Sequence, residues 1–246
     1  MVKEFIQIGN DQVRILRCPR QRYMRLRVLP DGKLRITCAR HVTQADLRAF
    51  ILESAKFILD GRQRIQDHHR AYPAKIYESG EPFLYFGERL PLQLIWSWSP
   101  KIRVEAQAGE LEMIAPITST VQERKQALFR HFKKLGKRQL EERARAHSLR
   151  MGLAYSSVTV RGQTSRWGSC TWDGKISLNW KLMSAPSDVI DYVIIHELAH
   201  LRHLDHSERF WNLVGSYFPD YKRAKKWLTD HEAEIAVQFQ KNSKPD

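Results

Sequence analysis

The segment of this 246-residue chain best suited to chemistry is His196-Glu197-Leu198-Ala199-His200. On a helix, histidines four apart lie on one face about one turn apart, where both imidazoles can reach a single metal ion. Two nitrogen ligands at that spacing suit zinc, so one Zn2+ ion is the expected cofactor. Glu197 sits about 100° around the helix from the first ligand, where a carboxylate reaches a metal-bound water without taking a coordination position. It is the natural general base. A chain with ten histidines can meet this pattern by accident, but here the context is specific. Val189, Ile190, Val193, Ile194 and Ile195 form the apolar stripe of a buried helix, and burying a glutamate and two histidines there would be costly without a metal.

A catalytic zinc takes three protein ligands and keeps one position open, so a third ligand is required. On an unbroken helix His203 would lie about 10 Å along the axis from His196, beyond reach of the same ion. His206 is better placed, because Leu204-Asp205 can turn the chain and Ser207, followed by Glu208, can cap a new helix carrying Phe210, Trp211 and Val214. Glu208 and Glu232 are the carboxylate alternatives.

These residues need a helix that opens at Ser184-Ala185-Pro186, followed by helices over about 207–218 and 220–239. Upstream, the pattern alternates with period two in Met24 to Leu29 and Lys33 to Cys38 around the turn Pro30-Asp31-Gly32, which predicts a hairpin with one basic face. A helix follows over about 43–70, opened by Thr43-Gln44-Ala45-Asp46. Strand-like runs recur at Phe83 to Phe86, Leu90 to Trp96, Ile102 to Ala106 and Leu111 to Ile114. After Pro116 comes a long basic helix, about Thr120 to Arg150, then a strand at Ser157 to Arg161 and a hairpin around Asp173-Gly174. The expected fold class is therefore α+β. Residues 1–115 form a strand-rich region with one inserted helix, and residues 116–246 a compact, mostly helical domain with a small sheet. The last residues, Lys241 to Asp246, are expected to fray.

Arg166-Trp167-Gly168-Ser169-Cys170, Ile176-Ser177-Leu178-Asn179-Trp180, Asp191 to His200, and His206-Ser207-Glu208-Arg209-Phe210-Trp211 together resemble the YgjP-like metal-dependent hydrolases, relatives of the SprT-like zinc peptidases. The likeness continues through Pro219-Asp220-Tyr221 and Trp227-Leu228 and takes in the basic hairpin, so it covers most of the chain. The resemblance implies zinc at His196, His200 and His206, a catalytic Glu197, and a gluzincin-like (HExxH, zincin) fold in which a small sheet packs on the active-site helix. The three histidines also have the spacing of metzincins, but His203 stands where those have glycine and no Met-turn is evident, which argues against that group. Arg166, Asn179 and Tyr221 are candidates to bind substrate, Arg166 or Tyr221 by meeting a developing oxyanion, although Arg166 can equally cap a carboxylate and Tyr221 simply pack. The strand Lys175 to Trp180, with Asn179 near its end, is either a core hairpin strand or a sheet edge on which substrate is held as an added strand. Cys170 lies in the motif without a partner thiol and reads as structural.

With 42% hydrophobic and 28% charged residues the chain is an ordinary globular protein rather than a disordered one. Cys18, Cys38 and Cys170 make neither a disulfide framework nor a thiolate zinc knuckle. No apolar run approaches the roughly 18 residues of a membrane span, and Met1 to Phe5 lacks the apolar core of a secretion signal, so a cytoplasmic protein is expected. The net charge of +14 is concentrated in residues 1–50 (11 basic, 4 acidic) and 121–150 (10 basic, 3 acidic). Such a field attracts nucleic acid without reading its sequence. Three functions follow: a zinc peptidase acting on proteins or peptides, a zinc hydrolase of another amide, or a nucleic-acid-associated protein whose zinc is structural.

Overall fold

The computed structural model describes residues 4–29, 31–163 and 166–240, apart from the side chains of His68 and His69. Pro30 of the expected turn, the first three residues and the expected frayed end at Lys241 to Asp246 lie outside the described residues. The chain is α+β and forms two compact units, residues 1–73 and 74–246. The shift in composition at Pro116 falls inside the second unit, because the strands before it and the helices after it share one apolar core.

The first unit holds β1 (Glu4–Ile8), β2 (Asp11–Arg17), β3 (Arg25–Val28) and β4 (Leu34–Cys38) in the order β1-β2-β4-β3. β3 and β4 are the expected antiparallel hairpin, with Leu26 opposite Ile36, while β2 runs parallel to β4. Period-two alternation buries Leu26 and exposes Arg25 and Arg27, which is the basic face. The helix expected as one is two, α1 (Gln44–Glu53) and α2 (Ala55–Ala71). Ser54, at φ −86° and ψ 9°, sits in the sparsely allowed bridge region and interrupts the helix. Leu47, Ile51 and Ile58 still continue one stripe into the core.

In the second unit β5 (Pro82–Tyr85), β6 (Glu88–Ser97), β7 (Arg103–Gln107) and β8 (Glu110–Pro116) form a sheet of order β5-β6-β8-β7. The long helix α3 (Val121–Met151) begins on a capping box between Thr120 and Glu123 and stops at left-handed Gly152. A smaller sheet comprises β9 (Ser157–Arg161), β10 (Gly168–Cys170) and β11 (Lys175–Asn179), ordered β10-β11-β9. A 3₁₀ turn, Trp180–Ser184, leads into α4 (Ser187–Ala199), and α5 (Glu208–Tyr217) and α6 (Tyr221–Gln238) complete the unit. None of the described helices is long and apolar enough to cross a membrane.

α4 is buried on nearly every side, as its run of valines and isoleucines requires. Its position is set at both neighbours. Phe86 and Gly87 donate backbone hydrogen bonds to the carbonyls of Met183 and Ser184, tying the turn between β5 and β6 to the turn before α4. At the far end of α6 the buried Gln238 accepts from the Leu84 N–H and donates to the Leu84 carbonyl, at 2.8 and 3.0 Å, pinning that helix to β5. Against α3, Trp180 lies so close to Gly136 that an added Cβ would sit 2.9 Å from its Cβ and 3.1 Å from its Cα.

In an open helix interior, alanine in place of glycine stabilises by about 0.5–1 kcal/mol. Gly136→Ala should reverse that sign and lose about 1–3 kcal/mol, seen as a lower urea midpoint with an unchanged slope. A higher midpoint would contradict the packing described.

Candidate metal centre

The last turn of α4 carries His196 and Glu197, and His200 closes the helix in an ordinary helical conformation. The chain then turns tightly, with the N–H groups of Leu201, Arg202 and His203 bonded back to Leu198 and Ala199. Ser207 occupies the N-cap position of α5, but its hydroxyl makes no capping bond; the Asp205 carboxylate accepts from the Ser207 N–H instead. This turn returns His206 over α4. One ligand nitrogen from each of His196, His200 and His206 lies within 4.8 Å of the others. Among the described residues no other group of three or more histidine, cysteine or acidic side chains could share an ion, so His203, Glu208 and Glu232 stand outside it.

The donor atoms fit a single ion. The Nε2 atoms of His196 and His206 are 3.2 Å apart, close to the roughly 3.4 Å that two nitrogens bound at 2.1 Å subtend around a tetrahedral centre. His200 Nδ1 is 3.0 Å from the His203 carbonyl oxygen, which can only accept, so Nδ1 carries the proton and Nε2 presents its lone pair. His203 therefore contributes its backbone. Phe210 stacks on His200 at 4.5 Å and Trp211 lies beside His206 at 5.7 Å, both from α5, restricting the ring orientations. His196 Nδ1 is buried with no hydrogen-bond partner among the described residues.

Electrostatics follow from this burial. Glu197 is only 5% exposed, and burial pushes its carboxyl up to about 8, with the Arg166 charge opposing. The His196 imidazole is pushed down to about 3, first by burial and then by the neighbouring His200, His206 and Lys225. Burial, aided by the charges of Glu197 and Asp173, raises the Cys170 thiol to about 11, which favours its protonated form.

β10 passes directly against Glu197. A Cβ on Gly168 would come within 2.6 Å of both Cγ and Oε1 of Glu197, so glycine is required there for space rather than for an unusual backbone angle. A cleft of about 300 Å³ opens beside Glu197 and His196, with Trp167, Tyr192, Val193 and Leu228 as apolar walls and Arg166 and Lys225 at its edges. Arg166 thus reaches the cleft. Tyr221 lines a neighbouring groove, stacked on Trp211 at 5.0 Å and 20°. Asn179 is buried, its amide donating to the carbonyls of Gln163 and Arg166 and its oxygen accepting from the Lys181 N–H. It shapes the loop that carries Arg166. β11 is paired with β10 on one side and β9 on the other, so of the two readings of Lys175 to Trp180 the core hairpin strand holds and the substrate edge does not: β11 is the central strand, and β10 is the edge beside Glu197.

Tyr192 is a site residue that the sequence reading passed over. It lies one turn before His196, its ring 5.9 Å from the imidazole, and burial with the nearby Glu197 and Tyr221 pushes its phenol up to about 12. The available signal was its i−4 spacing from His196.

The sequence matches the family model described as YgjP-like, metallopeptidase domain, over residues 22–231. No curated protein matches it. Two solved structures are similar over part of the chain, both with a TM-score of 0.35: the metallopeptidase zymogens abylysin of Pyrococcus abyssi, 24% identical, and jannalysin of Methanocaldococcus jannaschii, 15% identical. Each covers 38% of this chain, which in turn covers 96% and 97% of theirs.

Stability of the metal-stripped protein should report the buried carboxyl. A folded value of about 8, above the ordinary 4.5, gives stability that is complete below pH 4.5 and is lost as pH rises towards 8. The depressed His196 acts oppositely, its contribution being complete above pH 6.5 and lost as pH falls towards 3. Between pH 6.5 and 8 the Glu197 loss stands alone, on the order of 1–2 kcal/mol, and Glu197→Gln should abolish that slope. A flat wild-type profile would contradict it. Gly168→Ala should keep metal affinity within a few-fold while displacing the Glu197 side chain, which a crystal structure of the variant would show directly; an unmoved carboxylate would refute the contact.

Proposed function

The chain belongs to the YgjP-like metallopeptidase family, and we propose that it is a zinc-dependent peptidase in which His196, His200 and His206 hold one zinc ion and Glu197 is the general base. The observation that carries this reading is a buried carboxylate beside three converging imidazoles, at the wall of an open cleft. Bound there, a zinc ion acidifies water, polarises a carbonyl oxygen and by its charge favours the ionised form of Glu197.

Glu197 accepts the proton of the attacking water and returns it to the leaving amine nitrogen. The Gly168 backbone holds that carboxylate in place from one side. The edge of β10 offers unpaired backbone groups to an extended polypeptide, which would lie against the cleft as a further strand. Arg166 and Tyr192 stand at the cleft to donate to carbonyl oxygens of that chain, and Asn179 acts through the loop it fixes. Tyr221 orients Trp211 by stacking. The open cleft beside the carboxylate favours this reading over a structural zinc, whose site would be closed by a fourth protein ligand.

Removing one acid–base group lowers turnover by about 10²–10⁴-fold. Glu197→Gln should fall in that range on an unfolded protein while retaining one zinc by elemental analysis, and His206→Ala should lose the metal. Glutamine-variant activity at the wild-type level would remove Glu197 from the mechanism.

A further inference from the structure

A second groove, of about 550 Å³, runs along α6 beside the cleft, with Lys225 and Thr229 lining both. Its floor is the stacked pair Trp211 and Tyr221, and Lys225 Nζ lies 5.5 Å over the Trp211 ring. Lys226 is paired with Asp230 at 2.8 Å. Lys222 and Lys225 are different. Both are exposed, three residues apart on one helix face, and neither forms an ion pair with any described residue. Like charges at that spacing repel, and an anion between them relieves the repulsion. Across the cleft Arg166 adds a third cation, though there Glu232 also lines the wall. The cleft therefore has a mixed-charge end at Arg166 and Glu232, while the groove carries three lysines against one carboxylate, Asp230, which Lys226 already pairs, leaving Lys222 and Lys225 as its uncompensated charges.

We propose that this groove selects polypeptide substrates with an acidic side chain on one side of the scissile bond, seated between Lys222 and Lys225 over the Trp211–Tyr221 pair. The inference rests on the peptidase reading for the nature of the chain in the cleft, and adds which chain is preferred. Because Lys225 and Thr229 line both spaces, a chain cut beside His196 and Glu197 extends naturally into this groove. Polypeptide fits better than nucleic acid, because Trp211 is already stacked by Tyr221 and covered by Lys225, so it is not presented as a platform for bases.

The test uses the full-length zinc-loaded protein and unstructured peptides of equal length in which one residue at a time is Glu, Gln or Lys. Cleavage is followed as kcat/KM, and binding by fluorescence anisotropy on the Glu197→Gln protein. Glutamate at one position should be preferred over lysine about tenfold, the size of one charge-assisted hydrogen bond. The double reversal Lys222→Glu with Lys225→Glu should invert the preference, while Lys137→Glu, an exposed position on α3, should leave it. Equal treatment of all peptides, or a preference that survives the double reversal, overturns the inference. So does single-stranded DNA of similar length that displaces the acidic peptide through the same two lysines. If no peptide is cut but acidic peptides bind in the lysine-dependent way, the groove assignment stands and the peptidase reading falls.

Discussion

Placing a carboxylate on the buried face of a helix, among valine, isoleucine and leucine, costs several kcal/mol unless charge or hydrogen bonds compensate it. Glu197 is in that position. Among the described residues no ion pair reaches it, only the more distant Arg166 charge, and burial drives its carboxyl far above the ordinary value. The surroundings make sense when a dication sits at the adjacent imidazoles, because that single charge offsets the burial of both Glu197 and the ring nitrogens. Much else in the second unit follows from holding this arrangement still.

Three pieces of packing do so. The apolar body of α4 locks its last turn into the core, which fixes the direction of His196 and Glu197. The tight turn after His200 supplies the His203 carbonyl that sets the His200 tautomer, and it brings back His206 with the aromatic pair of α5. The edge strand β10 closes the remaining side, where only glycine leaves room. The sheet of β5 to β8 and α3 support this framework from behind through Gln238, the Phe86 and Gly87 backbone bonds, and the contact of Gly136 with Trp180.

Local patterns carried the reading of sequence as far as local physics reaches. The histidine pair was legible because i and i+4 must share a helix face, and His206 because Leu204-Asp205 can turn the chain and Ser207 can open a new helix. The hairpin of β3 and β4 followed from strict alternation. What stayed hidden depends on partners distant in sequence. Gly168 meets Glu197 across 29 positions, and nothing near Gly168 announces it. β11 became central because β9 reaches it by a parallel crossover, which alternation alone does not reveal. Asn179 looked like a polar residue near the site, yet its neighbours are the loop carbonyls it satisfies. Tyr192 was hidden in the apolar stripe because its side chain is itself buried with the core while also lining the cleft. The break at Ser54 lies within one continuous hydrophobic stripe, so the periodicity shows no interruption there.

The central claim is the identity of the metal ligands, and X-ray absorption of the zinc-loaded protein tests it most directly. The account predicts three imidazole nitrogens and one light solvent atom at about 2.0–2.1 Å, with one imidazole lost in His206→Ala. A zinc–sulfur shell near 2.3 Å, or a coordination sphere unchanged by that substitution, would contradict it.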